Sequence, residues 1–160
     1  MVEKASLTWS RYQKATLMQF GNKSALYRIR LVDPRGQPYQ ICRLAKKDAK
    51  GLLYIGESTN LGSRIKDFNK SHDYLKDGHE AGIRLRFMEV IHSQFNKGEP
   101  EICFALADEK ALRQEEARLL GNYFLKFGEL PPLNSIMPYY TDTIVLEKLK
   151  HILQSNIPSK

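Results

Sequence analysis

Arg64 and Glu116 are charged residues that fall on or beside the apolar stripes of two helices. Arg64 sits between Leu61, Ile65 and Phe68, and Glu116 shares one broad side with Leu112, Leu119, Leu120, Tyr123 and Phe127. An ion buried without a partner is costly, so the two charges either satisfy each other or line a cleft that receives a charged ligand. A snorkelling arginine or a solvated glutamate is the ordinary explanation for either residue alone. Two tyrosines on strand-like segments ahead of them, Tyr27 and Tyr54, favour the cleft. Together the four could hydrolyse a phosphodiester. A phenol accepts a proton only when ionised, and with an ordinary pKa of about 10 roughly one in 1000 is ionised at pH 7, so a catalytic tyrosine needs cations nearby. Arg28, Arg43, Lys46, Lys47 and Lys50 are close in sequence. A carboxylate at Glu116 suits Mg²⁺, which binds through one or two protein oxygens and keeps several waters. The cation would steady the leaving oxygen while Arg64 holds the growing charge on phosphate.

The elements that must position these groups follow from periodicity. SALYRIRLVD (24–33) alternates and stops at Asp33-Pro34-Arg35-Gly36, which predicts a strand and a turn. YQICRLAK (39–46) reads as a second strand and LLYIG (52–56) as a buried third. After Gly56 the run Glu-Ser-Thr-Asn supplies a helix N-cap, and Leu61, Ile65 and Phe68 recur at helical spacing. HDYLKDGH (72–79) allows a short further helix. GIRLRFMEVI (82–91) alternates Ile83, Leu85 and Phe87 with Arg84, Arg86 and Met88 and predicts a strand, joined to a strand at EICFALAD (101–108) by a hairpin through residues 96–100. DEKALRQEEARLLGNYFLKF (108–127) is the best helix, opened by Asp108 and ended by Gly128 and Pro131-Pro132. TDTIVLEKLKHILQ (141–154) is a second amphipathic helix with Ile144, Leu146, Leu149, Ile152 and Leu153 as apolar members, and residues 5–20 read as an N-terminal helix or arm. The expected class is α+β, a small mainly antiparallel sheet flanked by helices.

At 160 residues the chain fits one domain, and 25 Lys and Arg against 18 Asp and Glu leave a charge of +7, which favours a polyanionic partner, nucleic acid first. No apolar run approaches the roughly 20 residues that span a bilayer. The N-terminus MVEKASLTWSRYQ lacks the apolar stretch of an export signal, so a soluble, unexported, cytoplasmic protein with no membrane partner is expected. Cys42 and Cys103 are too few for a disulfide framework and read as reduced core residues, and His72, His79, His92 and His151 lack partners at zinc-site spacing.

These residues resemble the GIY-YIG nucleases. Tyr54-Ile55-Gly56 is the second half of that signature, followed by Ser58, Asn60-Leu61 and Arg64 at the family's usual strand-to-helix spacing, and Ala25-Leu26-Tyr27-Arg28-Ile29 is similar to the first half. Glu116 in EEARLL matches the family's metal-binding glutamate, and Pro131-Pro132-Leu133-Asn134 its closing Pro-x-x-Asn element. The resemblance covers residues 24–136, leaving an arm at 1–23 and a helix and tail at 137–160. It implies an endonuclease in which Tyr54 or Tyr27 is the general base, Arg64 binds the scissile phosphate, Glu116 carries one Mg²⁺ or Mn²⁺, and Asn134 orders the site. The interval between Tyr27 and Tyr54 is far longer than in compact members, so residues 33–50 look inserted and Tyr39 competes with Tyr27. Phe68 stands where the family often has His or Tyr, and His72, one turn on, is its candidate replacement. Glu57 falls where some repair members carry lysine and would repel phosphate or offer a second metal ligand. Glu115 is the fallback for Glu116, pointing about 100° away on the helix.

The inserted segment holds Arg43, Lys46, Lys47 and Lys50 and suits either a loop riding on a phosphate backbone or a solvated basic loop. Arg84, Arg86 and His72 would extend that surface. The expectation is a DNA endonuclease acting as a homodimer or recruited by a protein partner, with the N-terminal segment and the 143–155 helix as dimer elements. The alternatives are a module that binds nucleic acid without cutting it and a nuclease acting on RNA, although no exposed aromatic platform for single strands is evident.

Overall fold

A computed structural model describes residues 9–11, 21–74, 78–91, 98–138, 143 and 145–151. Strands β1 (Ser10–Arg11), β2 (Ala25–Val32), β3 (Leu52–Ser58) and β4 (Glu99–Leu106) form one sheet in the order β1-β4-β2-β3, with every pair antiparallel. Helices α1 (Leu61–Tyr74), α2 (Glu80–Ile91) and α3 (Glu109–Phe127) pack on it, and residues 145–151 are helical. The class is α+β, as the periodicities imply.

Alternation along β2 sends Tyr27, Ile29 and Leu31 to one face. Residues paired across a ladder share a face, so Tyr54 opposite Ile29 and Gly56 opposite Tyr27 join them. That face is covered by Leu61, Ile65 and Phe68 of α1 and by Ala81 and Leu85 of α2. On the other face Ile55 meets Leu120, Tyr123 and Phe127 of α3. Edge strand β3 therefore runs between two helical layers. Buried Leu61, Ile65 and Phe68 contribute about 2 kcal/mol each, which offsets the cost of holding Arg64 beside them. Asn60 caps α1 by accepting the Ser63 N–H at 2.9 Å, and Asp108 caps α3 by accepting from Lys110 N–H.

Four expectations need correction. Residues 82–91 belong to a helix, not a strand. Their alternation coexists with the helical stripe Ala81, Leu85, Met88, and that stripe is the one that packs inward, leaving Phe87 and Val90 exposed. Without that strand the hairpin through 96–100 has no first arm, and β4 pairs with β1 and β2 instead. Residues 39–46 form no ladder, only the single bridge Ile41–Asp48. Their backbone turns to the end of α3, where Ala45 N–H donates to Phe127 O and Leu44 N–H to the Glu129 carboxylate. This leaves Cys42 exposed rather than in the core, whereas Cys103 is buried and burial pushes its thiol up to about 11. In the N-terminal segment Ser10 and Arg11 are extended against β4, and Trp9 stacks 4.3 Å from the Arg30 guanidinium; the rest of the expected helix over 5–20 lies outside the described residues up to Gly21. In the C-terminal helix Val145 is buried while Leu146 and Leu149 are exposed; Ile144, Ile152 and Leu153 lie outside the described residues. No helix among the described residues is long and apolar enough to cross a membrane.

Candidate active site

Only Thr59 and Asn60 separate β3 from helix α1, and this tight connection brings Arg64 beside Tyr54. With α2, α3 and the segment after Pro131, this strand and helix line an open cavity of about 200 Å³ whose polar walls include Tyr54, Arg64, His79, Glu80, Glu116 and Asn134. Tyr27 lies behind Tyr54, with ring centroids 5.7 Å apart, and is only 1% exposed. Gly56 makes this stacking possible. A Cβ there would lie 2.4 Å from Tyr54 Cε1 and 3.0 Å from Tyr27 Cζ.

The Arg64 guanidinium lies beside both phenols. Burial works against its charge, but the two tyrosines hold its pKa above the ordinary value. Its Nε is buried without a partner among the described residues. Burial and then the neighbouring Tyr54 push Tyr27 well above the usual phenol range, against the pull of Arg64. Burial also raises Tyr54, opposed by Arg64 and by a hydrogen bond from Tyr27, while the Glu116 charge adds to the rise. The cation beside the phenols is thus Arg64 and not the group expected from residues 28–50. Arg28 faces the other side of the sheet beside Cys103, since the two are paired across the ladder.

His79 is the residue the sequence did not reveal. Its Nε2 is 3.1 Å from Tyr27 Oη, and its ring packs edge-on against Phe68 and Tyr54 at 5.3 and 5.4 Å. Only 3% of it is exposed. It is placed there because Ser71 Oγ on α1 accepts the His79 N–H at 2.8 Å and because Gly82 lets α2 approach α1 closely, a Cβ there coming within 2.4 Å of Phe68 O. Burial, then the Arg64 charge, lower its pKa to about 4, so the imidazole is neutral at physiological pH. Its Nδ1 has no partner among the described residues. The one available sign was a histidine directly before the acidic first residue of a helix, and the strand expected at 82–91 concealed it.

Glu116 lines the cavity, and Glu115 pairs with Arg118 at 2.7 Å. Burial and then the charge of Glu57 raise the Glu116 carboxyl to about 7, against Arg64 and a hydrogen bond from the Glu57 backbone N–H. Asn134 does ordering work: its Nδ2 donates to Ile55 O at 2.8 Å and its Oδ1 accepts the Ile55 N–H at 3.1 Å. With Leu133 N–H donating to Leu53 O, this fastens residues 131–134 along the free edge of β3.

The other candidates are elsewhere. His72 is held between Asp73 and Glu89 at 2.8 and 2.9 Å on the seam of α1 and α2, so it does not replace Phe68. Arg84 and Arg86 lie on a helix, paired with Glu80 and Glu89. Arg43 is largely buried, donating to Leu130 O, beside Glu129 and over the Tyr123 ring, and so is a structural tie rather than a free cation. Lys46, Lys47 and Lys50 are exposed but outside the cavity, and Tyr39 packs against the core.

The donor set fits a hard divalent cation. Glu116 is a half-buried carboxylate on the cavity wall whose charge is disfavoured where it stands, so a cation would supply what the site lacks. No group of three or more His, Cys, Asp or Glu suited to a metal occurs among the described residues, and one or two carboxylates with waters are what Mg²⁺ accepts. Comparison with family models, curated proteins and solved structures finds no match to this chain.

Proposed function

We propose that the protein is a metal-dependent endonuclease of the GIY-YIG type that hydrolyses phosphodiester bonds of DNA. The observation that carries this is the convergence of Tyr54, Arg64, Glu116 and Asn134, from four separate parts of the chain, on one small cavity. Arg64, which lines the cavity, binds the scissile phosphate through its N–H donors. Tyr54 is the general base, because it lines the cavity whereas Tyr27 is sealed behind it. Burial keeps the Tyr54 phenol above its ordinary pKa, and Arg64 and Tyr27 are the neighbours that pull it back towards the phenolate. His79, as its Nε2–H tautomer, donates to Tyr27 and fixes the direction of that chain. Tyr54, as the phenolate, takes a proton from water, the water oxygen bonds to phosphorus, and the bond to the leaving deoxyribose oxygen breaks, that oxygen then taking a proton from solvent. Glu116 would hold Mg²⁺ or Mn²⁺, which when bound supplies positive charge at the leaving oxygen and cancels the Glu116 charge that disfavours the Tyr54 phenolate. The exposed Leu146 and Leu149 suit a homodimer contact.

The test is incubation of the purified protein with supercoiled plasmid, linear duplex, single-stranded DNA and RNA, each with Mg²⁺, Mn²⁺ or EDTA. Metal-dependent cutting of DNA that is lost in Tyr54→Phe is expected. Cutting of RNA alone would move the substrate class, and salt-sensitive binding with no cutting of any substrate would leave a binding module.

A further inference from the structure

On the side of α1 turned away from Arg64 lies a second and larger hollow, about 700 Å³, between the helix and Gly21–Asn22. Its walls include Asn60, Ser63, Lys66, Lys70 and Tyr74, with Ile65 in its apolar floor. The hollow is held in shape by backbone and amide contacts: Gly62 N–H donates to Gly21 O at 3.1 Å, Leu61 N–H to Lys23 O at 3.0 Å, and Asn60 Nδ2 to Asn22 Oδ1 at 3.2 Å. Lys66 and Lys70 are exposed and form no ion pair among the described residues. The acid in the wall, Asp73, is already engaged by His72 at 2.8 Å. The contrast with α2 is informative, since Arg84 and Arg86 there are closed off by Glu80 and Glu89. Tyr74 stands at the end of the hollow with 70% of its surface exposed, an aromatic platform that the sequence did not make evident.

We infer that this groove holds the stretch of DNA flanking the scissile phosphate, with Lys66 and Lys70 on phosphates, the asparagines and Ser63 beside the strand, and Tyr74 against an unpaired base. The inference rests on the nuclease reading. One helix carries both sites, and its body is about 10 Å across. At a rise of 3.4 Å per nucleotide the groove lysines are therefore roughly three nucleotides from the phosphate on Arg64. Unpaired cations flanking an exposed ring are the chemistry by which proteins track a nucleic-acid backbone and stack its bases.

The test compares the wild type with Lys66→Gln/Lys70→Gln and with Tyr74→Ala, all exposed positions. Binding to a fluorescent duplex with a single-stranded extension is measured in EDTA over a range of NaCl, and cutting in Mg²⁺ over a range of DNA concentration. Removing two phosphate contacts should make the plot of log K against log salt shallower by about 2. It should raise KM and leave kcat unchanged. Tyr74→Ala should weaken binding roughly tenfold with the single-stranded extension and little on blunt duplex. If the wild type cuts while both variants match it in salt slope and KM, the groove assignment is wrong and the nuclease reading stands. If the wild type binds without cutting and the slope still falls in the lysine variant, the groove assignment stands and the nuclease reading falls. If the wild type does not bind DNA, both are overturned.

Discussion

Lowering the pH from 7 to 5 is expected to destabilise the fold through His79. The imidazole is buried and neutral with its pKa lowered to about 4, while in the unfolded chain it returns to its ordinary value of about 6.5. Between those values the unfolded state binds a proton that the folded state does not. The contribution is therefore fully present above about pH 6.5 and is lost as the pH falls towards 4. At pH 5 the two states differ by one and a half units at about 1.4 kcal/mol each, so about 2 kcal/mol of stability is lost. Against a total of roughly 5–15 kcal/mol that is easily resolved. The assay is urea unfolding followed by circular dichroism at pH 7, 6 and 5 for the wild type and for His79→Gln, whose neutral amide cannot titrate. Other acidic groups act equally on both proteins, so the wild type should lose about 2 kcal/mol more than the variant. Parallel pH profiles would refute the reasoning, because they would mean that the imidazole is not held neutral against Tyr27.

Three substitutions test how the cavity is built. Asn134→Ala removes both hydrogen bonds to Ile55 and should cost about 2 kcal/mol in urea unfolding; a change under half of that would show that the 131–134 segment is fastened by Leu133 and packing alone. Gly56→Ala forces a methyl into the Tyr54–Tyr27 contact and should cost about 1–3 kcal/mol in thermal unfolding, with a change in tyrosine absorbance that a tolerated methyl would not give. Asp48→Ala leaves Lys50 N–H, Leu52 N–H and Tyr123 Oη–H without their acceptor and should cost about 3 kcal/mol; a neutral outcome would mean that the segment before β3 does not depend on that carboxylate.

Much of this architecture was legible because local and long-range signals agreed. β2 and β3 alternate cleanly, α1 and α3 have caps and stripes of one period, and Arg64 and Glu116 were conspicuous as charges on apolar faces. α2 was misread because GIRLRFMEVI satisfies both periods, and which one governs depends on Ser71 and Gly82 meeting a neighbouring helix, a tertiary fact. That error hid His79. Residues 39–46 read as a strand because nothing local announces that their backbone donors find the end of α3. Arg43 looked like a free cation for the same reason, its partners Leu130 and Glu129 being far along the chain. Asn134 gave its position but not its work, since side-chain bonds to one residue of an edge strand leave no trace in spacing.

The most direct test of the proposed chemistry is to measure plasmid cutting and DNA affinity side by side for the wild type and Glu116→Gln in Mg²⁺. Glutamine preserves the shape of the side chain but removes the charge that would hold the cation. Cutting should vanish while affinity for DNA is retained. Undiminished cutting by the variant would contradict a cation at Glu116, and with it the central role given to this cavity.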